Sequence, residues 1–246
     1  MRYALNHMTT PNLGYEAFLD LAASLLCVGV EVRNDIDRPL FDGMAPSEAA
    51  AIARDKGVRL VGLSQVYPFN RWSDAIADET RALIDQAAGA GAETISLIPC
   101  NDGTGTDQAT RTDDLVRALE GCLPLLRAAD MVALVEPLGF ARSSLRQKSD
   151  LVAAIDALGA GGRFRLVHDT FHHALASNGP IYPDQTGIVH ISGVSDPVIS
   201  VAQMEDEHRV LVDGGDRLDN LGQIRALLDA GYDGVFSFEC FAPGVL

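Results

Sequence analysis

A chain of 246 residues, 47% hydrophobic and 22% charged, can bury a substantial core and is too ordinary in composition to be disordered. Nineteen basic side chains against 34 acidic ones leave a net charge of −15, a field that repels phosphate backbones and anionic lipid and argues against nucleic-acid or membrane-surface partners. No apolar run approaches the roughly 18 residues that span a bilayer, and the first ten residues carry no apolar signal core.

The four cysteines, Cys27, Cys100, Cys122 and Cys240, form no C-x-x-C pair, so a reduced, soluble, cytoplasmic protein is expected. Residues 2–6 form the first strand candidate. The next segment, 15–27, repeats apolar residues at helical spacing through Phe18, Leu21, Ala22 and Leu25. Strand 28–32 precedes helix 46–56, which has Pro46 in its first turn and Gly57 behind it. Strands 59–63, 94–98 and 132–136 then alternate with helices 74–90, 107–128 and 150–158. Strands 164–168, 187–191 and 234–239 complete the set, with a helix at 218–230 before the last. Gly91, Gly159 and Gly231 sit at helix ends.

Eight strands alternating with helices, without a linker, predict one α/β domain over residues 1–246: a (β/α)8 TIM barrel. An open doubly wound sheet fits less well, because residues 6–11 lack the glycines of a dinucleotide-binding turn. Glu239 stands seven residues from the end, so the last helix is expected to be missing. The connection 191–218 is long, polar and acidic, as expected of an active-site loop.

In such a barrel the C-terminal ends of the strands open into one mouth. Strand five ends at Glu136, strand six at His168-Asp169, and strand eight at Glu239, while strand seven carries His190. Singly, the glutamates read as loop-edge carboxylates and His190 as a core imidazole. Together, among apolar flanks where isolated charges are expensive, they predict a cation between them. Glu136, Asp169, His190 and Glu239 make a three-carboxylate, one-imidazole set suited to one divalent metal ion: Mn, Zn, Mg or Co. No thiolate is present to favour a closed structural zinc site. His172 and His173 are adjacent, so only one is expected to face inward. Glu31 and Arg33, at the end of strand two, read as substrate contacts or as a buried ion pair, and Phe69 and Trp72 as an apolar wall for the substrate.

Several segments together carry a resemblance. They are Leu5-Asn6 with Met8-Thr9-Thr10, Val30-Glu31-Val32-Arg33, Leu166–Asn178 (LVHDTFHHALASN), Asp206-Glu207-His208-Arg209, Gly214–Asp216 and Glu239-Cys240-Phe241. Over nearly its whole length the chain resembles the xylose-isomerase-like TIM barrels, a superfamily of sugar isomerases, ketose 3-epimerases, inosose dehydratases and endonuclease IV. Within it, the inosose (2-keto-myo-inositol) isomerases are the most similar. The resemblance implies a metal on Glu136, Asp169, His190 and Glu239, with Glu136 and Glu239 as catalytic base and acid. It implies substrate contacts from His172, in the Asp-x-Phe-His motif, and from Arg209 in the loop; read alone, Arg209 is equally an exposed cation among acids. The implied reaction is proton transfer next to a ketone of a sugar or keto-polyol in inositol catabolism. Ketose 3-epimerisation, hydroxypyruvate isomerisation, inosose dehydration and non-catalytic sugar binding remain as alternatives. Six histidines and the charge of −15 set the chain apart from the endonuclease branch. His168 departs from the family, where an apolar residue is usual. A missing closing helix would expose apolar surface that a second copy covers, so a homo-oligomer is expected.

Overall fold

In a computed structural model, described for residues 1–105 and 107–245, eight parallel strands close into a barrel in sequence order, β1 to β8. They are β1 Arg2–Asn6, β2 Gly29–Arg33, β3 Arg59–Val66, β4 Thr94–Leu97, β5 Val132–Val135, β6 Phe164–Asp169, β7 Thr186–Ile191 and β8 Val235–Phe238. Closure is made by β8 against β1, with Ala4 opposite Ser237 and Leu5 opposite Phe238. The expected barrel is therefore the observed one.

Seven α-helices cover the strands among the described residues: α1 Tyr15–Ser24, α2 Pro46–Asp55, α3 Asp74–Ala90, α4 Gln108–Ala128, α5 Lys148–Ala157, α6 Thr170–Leu175 and α7 Asn220–Asp229. Local chemistry sets their ends. Ser73 Oγ accepts from the Ile76 amide to start α3, and Gly91, left-handed at φ 67°, ends it. Pro46 occupies the first turn of α2.

After β8 the described residues form no helix. Tyr3, stacked on Phe238 at 5.8 Å, remains exposed on that side. No helix among the described residues is long and apolar enough to cross a membrane.

The main core lies between strands and helices and joins residues such as Phe18, Leu63, Ile95, Leu119 and Phe164. A second cluster of Ala4, Val61, Leu134, Val167, Ile188 and Val235 draws on six strands. Residues from so many strands meet only inside the barrel, where they plug its interior.

Two local features bear on the mouth. β3 runs on through Ser64-Gln65-Val66, beyond the apolar run that announced it. α6 is a six-residue helix that no periodicity reveals; Asp169 caps it by accepting from the His172 amide at 2.9 Å.

Candidate metal centre

Glu136, Asp169, His190 and Glu239 come together as the sequence predicts. All four are buried, and each offers one ligand atom within 4.8 Å of the others. Three sit at or just past strand ends: Asp169 closes β6, Glu136 follows β5, and Glu239 follows β8. His190 lies within β7 and directs Nδ1 at Glu239 Oε2 (3.1 Å) and Glu136 Oε1 (3.4 Å).

The two glutamates differ in surroundings. Glu239 is clamped: Arg33 Nη1 donates to its Oε1 at 2.7 Å, and Arg209 Nη2 to its Oε2 at 2.9 Å. Burial opposes its ionisation, yet His190 and Arg209 hold the carboxyl well below the usual range. Glu136 touches no arginine; burial, then the neighbouring Glu239 charge, pushes its pKa up. His190 is raised well above the ordinary imidazole value, because Glu239 and Glu31 outweigh its burial.

Arg209, expected either as a substrate contact or as an exposed cation, is almost fully buried. It donates to Asp169, to Glu239 and, at 3.1 Å, to Asp206, and its guanidinium lies 4.5 Å from the Phe241 ring. Arg33 grips Asp35 through Nε (2.8 Å) and Nη2 (2.6 Å) as well as holding Glu239. The buried-pair reading of Arg33 therefore holds with different partners: Asp35 and Glu239, not Glu31. Glu31 is fully buried and accepts from His190 Nε2 at 3.1 Å.

A cavity of about 220 Å³ opens over this cluster. Glu136, Glu239, Arg33, Arg209 and His172 all line it, and Glu31 does not. His173 turns the other way and meets Lys148 Nζ at 2.8 Å, so the adjacent histidines divide as expected. The loop between β7 and α7 contributes Asp206 and Arg209 to the lining.

Phe69 and Trp72 do not line it. Phe69 is buried in the main core, and Trp72 packs on Gly121 of α4, where a Cβ would come within 2.1 Å of the indole. The apolar wall is instead Tyr67, Ile98, Leu138 and Phe241. Sequence reasoning also missed Asp35, Gln65 and Asn101 in the lining. The pointers were small: Tyr67 precedes Pro68 past a strand end, and Phe241 belongs to the last strand's motif.

The residues fit a divalent ion on two grounds. Glu136 Oε1 and His190 Nδ1 are buried and have no hydrogen-bond partner, a costly state that a cation between them relieves. Four buried carboxylates, Glu31, Glu136, Asp169 and Glu239, face two buried arginines, Arg33 and Arg209. Because Arg33 and Arg209 also pair with Asp35 and Asp206, the buried cluster keeps an excess of negative charge, of the sign that a divalent cation offsets.

The xylose isomerase-like TIM barrel family model matches residues 19–244. The chain belongs to this family. Among solved barrels of the family's fold, a xylose isomerase domain containing protein from Salmonella typhimurium LT2 is 32% identical, covers 99% of this chain and 90% of its own, and superposes with a TM-score of 0.91. The IOLI protein, solved with a zinc atom, is 18% identical with a TM-score of 0.87, covering 100% of this chain and 91% of its own. D-psicose 3-epimerase from Clostridium cellulolyticum H10, solved with D-tagatose, is 15% identical with a TM-score of 0.76, covering 98% and 85%. No curated protein matches the chain.

Proposed function

We propose that this xylose isomerase-like barrel is a divalent-metal-dependent isomerase of a neutral keto-polyol, interconverting 2-keto-myo-inositol and its 1-keto isomer. The observation that carries the reading is the pair Glu136 and Glu239, both lining one small cavity beside a buried cluster of four residues that could hold a metal ion. The ion bound there supplies Lewis-acid polarisation of a ketone and its neighbouring hydroxyl.

The chain's own residues do the rest. The carbon next to a ketone is a weak acid, so a carboxylate must sit against it, a second group must return a proton at the neighbouring carbon, and the hydroxyl proton must pass to the former carbonyl oxygen. Glu136 and Glu239 take the first two parts. Two arginines hold Glu239 in place at the cavity, and Glu136 lines the same cavity without an arginine on it. Arg209 and His172 bind and orient substrate oxygens, and Arg33 fixes Glu239 from the cavity wall.

The arginines also bear on which ketone fits. Arg33 and Arg209, the cavity's two arginines, are both already paired with carboxylates. A neutral polyol meets this lining without an unmatched charge, which disfavours anionic hydroxypyruvate. The cavity is smaller than the roughly 300–1,000 Å³ of drug-sized pockets, in keeping with a single small ring. A ketohexose is equally neutral, and likeness to the D-psicose epimerase supports ketose 3-epimerisation as the second reading.

The test is solvent-deuterium exchange into 2-keto-myo-inositol and into free ketohexoses, with Mn2+-loaded protein. Exchange into the inosose that falls 10²- to 10⁴-fold in E239Q, the range of acid–base catalysis, supports the reading. Exchange into a ketohexose alone favours the epimerase. Exchange retained in E239Q defeats the acid–base pair.

A further inference from the structure

We propose that Glu31 is a positioning residue for the metal centre, fixing the tautomer and the aim of His190. Its place in β2, two residues before Arg33, makes it a natural candidate for the substrate, yet its carboxylate is absent from the cavity lining and fully buried. What it meets is the far side of the histidine. Its Oε2 lies 3.1 Å from His190 Nε2.

An imidazole that donates one N–H to a carboxylate is held as a single tautomer, with the lone pair on its other nitrogen. For His190 that other nitrogen is Nδ1, the buried atom without a hydrogen-bond partner that faces Glu136 and Glu239. Glu31 thus determines which nitrogen is offered and where it points. The negative charge behind the ring also makes Nδ1 a stronger donor.

The support reaches a second ligand. Glu31 Oε1 accepts from Asn6 Nδ2 at 3.3 Å, and the same Nδ2 lies 3.2 Å from Glu239 Oε1. Asn6 cannot swing away freely, because its Oδ1 accepts from the Met8 amide at 3.0 Å. Residues of β1 and β2 therefore hold His190 of β7 and the glutamate after β8 in one frame. Neither Asn6 nor Glu31 lines the cavity. The assignment rests on the metal centre of the proposed function and is independent of which ketone reacts.

The test uses the full chain and Mn2+ alone, followed by the electron paramagnetic resonance signal of the free ion. E31M removes the acceptor, and E31Q keeps its volume but removes its charge. Affinity for Mn2+ is expected to fall about 10- to 100-fold in E31M, the range for outer-shell partners of metal ligands, and less in E31Q. Nitrogen-15 spectra of the Zn2+-loaded protein are expected to show His190 protonated at Nε2 in the parent and to lose that single-tautomer signature in E31M, a change that a packing role would not produce. Circular dichroism monitors the fold, and if E31M does not fold, E31Q decides. Affinities within twofold of the parent in the folded variants overturn the assignment and leave the metal centre standing. A parent chain that binds no Mn2+ defeats the centre itself and the assignment with it.

Discussion

His168 and Asp169 are neighbours on β6 and serve two different buried polar clusters. Asp169 faces into the barrel mouth, where Glu136 Oε1 and His190 Nδ1 lack hydrogen-bond partners. His168 faces outward into a cluster whose groups answer one another. Lys148 Nζ sits 2.8 Å from both His168 Nδ1 and His173 Nδ1, and His168 Nε2 meets Gln223 Oε1 at 3.0 Å. Gln223 Nε2 then donates to the carbonyls of Thr170 and Leu218. Both clusters are rich in histidine and charge, so burial alone does not separate site from scaffold. The difference is satisfaction: the scaffold cluster is complete, and the site cluster waits for something from outside.

The largest expected effect lies on the unsatisfied side. D169N keeps a good helix cap for α6 but removes a charged ligand. Mn2+ affinity, measured by titration calorimetry, should fall more than about 100-fold, beyond the range of outer-shell changes. H168L, one residue away, should do the reverse. It leaves Lys148 and Gln223 each short of a buried partner, at about 1–3 kcal/mol per group in urea unfolding, with Mn2+ affinity unchanged. Equal loss of metal in both variants would mean that the two clusters are one.

A pH scan sharpens the contrast. Burial pushes Lys148 down to about 7 from its ordinary 10.5, and burial, then Lys148, pushes His173 down to about 4 from 6.5. In each window the unfolded chain holds that group's proton and the folded chain does not, so the contribution of His173 rises with pH from 4 to 6.5 and that of Lys148 from 7 to 10.5. The raised His190, Cys122 and Cys240 act with the opposite sign above pH 7, so the Lys148 share is read as the difference in unfolding midpoint between parent and K148M, which should widen from pH 7 to 10.5. The smallest effect is expected at the rim. Arg142 donates to both oxygens of Glu205 at 2.8 and 2.6 Å across two loops, but both side chains are exposed. R142A should therefore cost less than about 1 kcal/mol by the same unfolding measurement.

The same contrast explains what could be read in the sequence. The barrel was legible because strand and helix signals are local: apolar runs, first-turn prolines and terminal glycines lie within a few residues of one another. The four candidate metal ligands were legible because each stands at or near a strand end, where the topology gathers such residues. Lys148 was not: one of only two lysines in the chain, it finds its partners on β6 and α6, and its neighbours in sequence give no sign of them. Glu31 was visible as a residue but not in its contacts, since its partner lies 159 positions away. Trp72 misled because an aromatic near a strand end looks like a cavity wall until Gly121 is seen beneath it.

Asp169 spends its two oxygens on different neighbours. Oδ1 holds the first turn of α6 through the His172 amide, and Oδ2 is turned to Arg209 and the ligand cluster. A helix of six residues is too short to persist by itself, so that first turn depends on its cap. Occupancy of the centre and order in the helix that presents His172 are therefore linked, and such linkage runs equally in both directions. What tightens the cluster slows the fraying of that turn, and what frays the turn loosens the cluster by the same free energy.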